Sequence, residues 1–144
     1  YSGQRFSPKP QQQPYPPILV GGYSKAAFRR IARFGDGWHT LRQSPEQVSA
    51  GIAEITRQME KAGRDATRLR HSITLPLDYS GRKKPDPSVK DRTILRGSND
   101  DMAETINAYR QAGLDEIIVS VNTAELTENT DTMARFMEGA WANI

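Results

Sequence analysis

The chain has no cysteine, which excludes disulfides, thiolate metal sites and cysteine nucleophiles. That absence suits a reducing compartment, and a cytoplasmic location is the expectation. There is no run of 18 apolar residues, so no membrane span and no membrane partner are expected. Charge of one sign is in small excess: 20 basic against 17 acidic residues leave a net +3, too little to argue for nucleic acid, and the basic residues are not gathered into one stripe. Apolar residues make up 36%, which predicts a thin core for a single domain of 144 residues. The two histidines, His39 and His71, have no ligand-spaced partner, so no metal site is expected. Neither a Ser–His–Asp order, a Walker pattern nor a short-period repeat is present. The chain opens on Tyr1 without an initiator Met or a signal peptide, and the expectation is a break inside a longer protein.

What is present is a regular alternation of two periodicities. Residues 1–17 carry five prolines and Gln11-Gln12-Gln13, a composition that cannot form helix and reads as a connecting segment. Residues 18–144 read as β/α units. Ile18-Leu19-Val20 suits a strand buried on both faces, followed by a helix from Ser24 to Phe34 with Ala27, Ile31 and Phe34 on its apolar side. Arg29, Arg30 and Arg33 take the other side, and Gly35 is a stop signal. Gly37–Leu41 reads as a second short strand. Ser44-Pro45-Glu46-Gln47 opens a helix with a capping box and Pro at N1, and Val48, Ile52, Ile55 and Met59 repeat along it. A third strand is expected over His71–Leu77, then a polar surface loop from Tyr79 to Lys90. Ser98-Asn99-Asp100-Asp101 caps a helix faced by Met102, Ile106 and Tyr109. Glu116–Val121 is a fourth strand, and Met133, Phe136, Met137, Ala140 and Trp141 predict a helix from Asn129 to Trp141. This β-α-β-α-β-α-β-α order implies right-handed crossovers and a parallel sheet. It leaves open a doubly wound sheet or half of a closed barrel.

Chemistry concentrates at Gly21-Gly22-Tyr23-Ser24, where a strand ends and a helix begins. The first turn of a helix has amides without internal partners, and its dipole favours an anion. Glycines let the backbone approach a phosphate closely. Ser24 adds a hydroxyl, and Lys25 or Arg29 a charge. The competing reading is a tight turn with Ser24 as an ordinary cap.

Pro16-Pro17-Ile18-Leu19-Val20-Gly21-Gly22-Tyr23-Ser24, then Gly35-Asp36-Gly37-Trp38, resembles the luciferase-like monooxygenase family, with its closest look to F420-dependent members. Pro8-Lys9-Pro10, Ser44-Pro45-Glu46, Ala62-Gly63-Arg64-Asp65, Gly113-Leu114-Asp115-Glu116 and Phe136-Met137-Glu138 extend the resemblance, in order, along nearly the whole chain. The resemblance implies the C-terminal half of a (β/α)8 TIM barrel, with parallel strands alternating with helices. It implies a flavin- or deazaflavin-dependent oxidoreductase, using F420 for hydride transfer or FMN for monooxygenation of a small organic substrate, and a homodimer in full-length form. It also implies that Gly21, Gly22, Tyr23 and Ser24 hold the cofactor phosphate at the C-terminal face of the barrel. The family's catalytic side chains belong to N-terminal strands, so no catalytic residue is carried over. On this reading Gly22→Asp is expected to weaken cofactor binding and leave the fold mostly intact.

Four further residues are candidates for lining the pocket: His39 after a short strand, Asp78 after the third, and Ser120 and Asn122 at the end of the last. His71 starts a strand at the opposite end and reads as structural, Asp36 as a turn residue, and Trp38 and Trp141 as packing residues. The loop Arg82-Lys83-Lys84 reads as solvated, with a role in steering an anionic cofactor as the functional alternative. Two other functions stay in view: a non-redox phosphate-binding barrel module, and an inactive fragment whose unpaired strand edges invite association.

Overall fold

A computed structural model describes residues 7–79, 94–121 and 125–144. Residues 7–18 contain no helix or strand and are exposed. The elements that follow are β1 (Leu19–Gly21), α1 (Lys25–Phe34), β2 (Gly37–Leu41), α2 (Pro45–Lys61), β3 (Arg70–Asp78), β4 (Leu95–Arg96), α3 (Asn99–Gln111), β5 (Glu116–Ser120), α4 (Leu126–Glu138) and a 3-10 turn (Trp141–Asn143). The strands β1, β2, β3 and β5 lie side by side, all parallel, in the order in which the chain visits them. A doubly wound sheet would reverse direction at a switch point. Here every crossover moves one way, so the helices share one face of the sheet, as in a barrel.

The helices begin where their capping chemistry says. The Ser44 hydroxyl accepts from the Gln47 amide while the Gln47 side chain accepts from the Ser44 amide. Ser98 and Asp101 form the same reciprocal pair at α3. Hydrogen bonds from the Ser98 hydroxyl, then from its backbone, hold the Asp101 carboxyl below the ordinary carboxylate range. The end of α1 is closed by Arg64, whose guanidinium donates to the carbonyls of Ile31 (2.9 Å), Ala32 (3.1 Å) and Gly35 (2.9 Å). One planar fork thereby satisfies three acceptors and places a cation at a helix C-terminus. Arg64→Ala is expected to cost about 1–3 kcal/mol in a denaturant melt, and Arg64→Lys to recover only part of it, because an ammonium cannot span the three carbonyls.

The core lies between sheet and helices. Trp38, Ile73 and Leu75 meet Phe28 and Ile31 of α1, Val48, Ile55 and Met59 of α2, and Met102 and Tyr109 of α3. Trp38 fits because residue 51 is glycine: a Cβ there would stand 2.5 Å from the indole Cη2. The ring is fully buried and cannot yield. Gly51→Ala therefore loses more to overpacking, about 1–3 kcal/mol, than the roughly 1 kcal/mol it gains in helix propensity, and a lowered melting temperature is the check.

Four expectations need correction. Ile18 and Leu19, expected in a strand buried on both faces, are 41% and 45% exposed, because β1 is an edge strand that pairs only with β2 among the described residues. The buried stripe of α1 is Ala27, Phe28, Ile31 and Ala32, whereas Phe34 is 45% exposed. Phe28 takes the core position because its ring packs edge-on against both Tyr23 and Trp38. The last helix begins at Leu126 and ends at Glu138, not Trp141. Gly139, at φ −106° and ψ −90°, breaks the helical phase, so Phe136 and Ala140 are buried while Met137 and Trp141 are half exposed. Finally, a short strand, β4, pairs with the end of β3 at Leu77 and Asp78, and its two residues are too few to carry a periodic signal. No helix among the described residues is long and apolar enough to cross a membrane.

Candidate functional site

Because the strands are parallel, their C-terminal ends lie along one edge, and every helix starts there. At that edge β1 stops at Gly21 and α1 starts at Lys25, with Ser24 as N-cap. The corner between them is fixed from three sides. The Gly22 amide donates to the His39 carbonyl (3.1 Å), and the Gly22 carbonyl accepts from the Trp38 indole N–H (2.8 Å). The Tyr23 hydroxyl donates to the Gln47 carbonyl on α2 (3.2 Å), while its ring lies against Phe28 and Trp38. Tyr23 is thus a brace, and its side chain is committed to packing. Gly22 has φ +109°, a conformation that any side chain would strain. Gly21 is different: it has no positive φ, and nothing stands within 4 Å of a Cβ added there. Neither backbone nor packing among the described residues explains why residue 21 is glycine, and the space before it is open to them.

The Ser24 hydroxyl accepts from the Ala27 amide (3.1 Å), so one amide of the first turn is capped from within. The amides of Tyr23, Ser24, Lys25 and Ala26 have no partner among the described residues, and these residues are exposed. The corner therefore offers a short row of N–H donors, the positive end of α1, and a glycine in front.

His39 is one strand away, in register with Gly21. Alternation places Trp38 on the helix side and His39 on the open face, together with Ser72 and Thr74 of β3. The imidazole lies between those two hydroxyls, Nδ1 at 2.9 Å from Ser72 Oγ and Nε2 at 3.2 Å from Thr74 Oγ1. Ser72 Oγ also lies 3.5 Å from the Trp38 carbonyl. If its proton points there, Nδ1–H donates to Ser72 and Nε2 accepts from Thr74, which is the tautomer this hydrogen-bond order assigns. Ser72 and Thr74 were not among the sequence candidates, although the period-2 alternation of β3 was the signal for them.

Ser120 pairs in register with Pro76 and belongs to the same open face, half-buried at the end of β5. Asp78 ends β3 and is only 4% exposed, beside β4. Asn122 and the Arg82-Lys83-Lys84 loop lie outside the described residues. The structure thus brings Gly21, Gly22, Ser24 and His39 together, with Ser120 farther along the same edge.

The other polar candidates serve the fold. Asp36 accepts from the Ile18 amide (2.9 Å) and its own amide donates to the Ile18 carbonyl (2.8 Å), tying β1 to the turn before β2. His71 faces the helix layer against Trp38, and its Nδ1 is buried with no partner among the described residues. Burial pushes its pKa down, and the nearby Asp115 carboxylate opposes that only in part. Its folded pKa thus lies below that of the unfolded chain, about 6.5, so its contribution is complete above that value and is lost as pH falls toward the folded pKa. Melting temperatures measured from pH 7.5 to 5 should fall on acidification, with a shallower fall in His71→Phe.

The luciferase-like monooxygenase family model matches residues 1–82. An uncharacterised protein of Mycobacterium tuberculosis is 40% identical over 72 residues, covering 47% of this chain and 25% of that protein. The solved monooxygenase RslO1 of Streptomyces bottropensis superposes with a TM-score of 0.67 at 22% identity, over 94% of this chain and 50% of that one. An F420-dependent secondary alcohol dehydrogenase, solved with an F420–acetone adduct, superposes with a TM-score of 0.66 at 12% identity, over 86% and 48%. The chain thus spans about half the length of these structures, and the half it matches has the fold of a luciferase-like barrel. With the family model covering more than half of its residues, and with strands, helices and glycine corner in the expected order, the chain belongs to the luciferase-like monooxygenase family.

Proposed function

We propose that this chain supplies the coenzyme-phosphate side of an oxidoreductase that uses F420 or FMN on a small organic substrate. The observation that carries this reading is Gly21. Among the described residues nothing occupies its Cβ position and four amides close behind it have no partner, while its conformation demands no glycine. Residue 21 is therefore best explained by a group from outside the chain that must come close. A phosphate monoester or diester suits that place, since it accepts several N–H donors and gains from the helix dipole. The amides of Tyr23 to Ala26 and the Ser24 hydroxyl would hold it, Gly21 would leave room for its approach, and Gly22 and the Tyr23 ring would fix the turn.

The coenzyme, when bound, supplies hydride transfer or oxygen activation, and the protein's part is to place and shelter it. His39 faces the same side as Gly21, one strand over. Held between Ser72 and Thr74, it presents a ring of fixed orientation to whatever occupies the open face. The exposed Leu19, Leu41 and Ile118 on that face give it an apolar character suited to a ring system.

Fluorescence titration of the intact protein tests the reading. Saturable quenching of F420 or FMN, with no competition from sugar phosphates at equal concentration, is expected. Direct binding of a sugar phosphate in a calorimetric titration, with no response to either coenzyme, would favour instead a phosphate-binding barrel without redox chemistry.

A further inference from the structure

Away from the sheet edge, folding collects cations that the sequence scatters. A groove of about 820 Å³ runs over the outer surface between α1 and the end of α2. Arg29, Arg30 and Arg33 line it from α1, and Lys61 and Arg64 from the α2 side, with Phe34 exposed at one end. Among the described residues no acidic side chain lines it. Among the described residues the three α1 arginines make no ion pair or hydrogen bond, while Lys61 feels the field of Glu54, which is itself bonded to Arg57 and Gln58. Arg64 already closes the carbonyls at the end of α1, so helix capping does not account for the other cations. Both walls of the groove belong to helices of this chain.

We infer that this groove docks a short acidic stretch of a partner polypeptide, extended and carrying one apolar side chain. Charge complementarity sets the sign of the partner, and the groove's dimensions set its class. From Ala26 to Phe34 the α1 wall is about 12 Å long at 1.5 Å per residue, which matches roughly four residues of extended chain. A duplex nucleic acid bound by charge engages a track of about six to ten phosphates, longer than this wall. A membrane surface asks for a broad apolar face, and here Phe34 stands alone among small residues and cations. Alanines 26, 32 and 62 between the charges leave room for a peptide backbone, with Phe34 placed to meet the partner's apolar side chain.

The test measures anisotropy of a fluorescein-labelled Glu-Glu-Leu-Glu-Glu peptide with the intact protein at low salt. A Gln-for-Glu version of the peptide, a 20-base-pair DNA duplex and phosphatidylserine vesicles serve as rival probes. Binding should weaken as salt rises, because the Debye length shortens to about 10 Å at 0.1 M. The double variant Arg29→Glu, Arg33→Glu alters only exposed positions, and its circular dichroism and melting temperature should match wild type. It should lose at least about tenfold in peptide affinity, since like charge is set against the ligand. Equal binding of the Gln peptide, unchanged affinity in a folded double variant, or tighter binding of DNA or vesicles than of the acidic peptide would each overturn the inference. If the double variant does not fold, Arg30→Gln with Lys61→Gln replaces it, with a loss of about threefold or more expected and no loss counting against the inference.

Discussion

Replacing Gly21 by aspartate should lower the affinity of the intact protein for F420 or FMN by at least about 100-fold, while its melting temperature stays within about 2 °C of wild type. Both halves of that result follow from one observation, that nothing stands within 4 Å of a Cβ at residue 21. The side chain enters open space, so the fold has no reason to object. The same space is where a phosphate would approach the amides of Tyr23 to Ala26, and a carboxylate there meets it with like charge. Gly21→Ala should give a smaller loss by steric intrusion alone. Fluorescence titration and thermal melts check the two halves separately, and unchanged affinity in the aspartate variant would remove the phosphate from this corner. Gly22, the position that sequence reasoning singles out for this experiment, is the poorer choice. Its φ of +109° means that Gly22→Asp strains the turn and confuses loss of binding with loss of structure, so the expectation of an intact fold does not carry over to it.

The largest expected effect on stability comes from Trp38. Trp38→Ala should cost about 3–5 kcal/mol in denaturant unfolding, as large-to-small changes at fully buried aromatics do. Four neighbours lose their packing at once: Phe28, Tyr23, His71 and the backbone at Gly51. The Gly22 carbonyl loses its indole donor as well. Trp38→Phe separates these contributions, since it keeps much of the ring packing and removes the N–H. It should recover most of the stability yet still loosen the corner, visible as a weaker coenzyme affinity out of proportion to its melting temperature. If Trp38→Ala costs less than about 1 kcal/mol, the ring is not the keystone of the helix layer.

Elements with strong local signals are legible in the sequence. The capping pairs at Ser44 and Ser98 act through bonds that span three residues, so their spacing is visible in the chain itself. The same holds for β2 and for the apolar repeat of α2. At the ends of α1 and α4 the local signal misled. Phe34 and Trp141 fit a helical stripe on paper, but Phe28 competes for the Trp38 surface, and Gly139 turns the chain away. The candidate site shows the same division. The glycine corner could be read as a strand-to-helix turn, whereas the pairing of His39 with Ser72 and Thr74 depends on a register between strands more than 30 positions apart.

By itself, then, the sequence determined the alternation of strands and helices, the capped helix starts, the place of the glycine corner and the family resemblance, because each rests on neighbours along the chain. The tertiary structure decided the one-way strand order, the distinction between a glycine required by its backbone and one left facing open space, the hydroxyl clamp on His39, and the convergence of cations between α1 and α2. Those features arise from strand register and helix packing, which join residues far apart in sequence and leave no periodic trace in it.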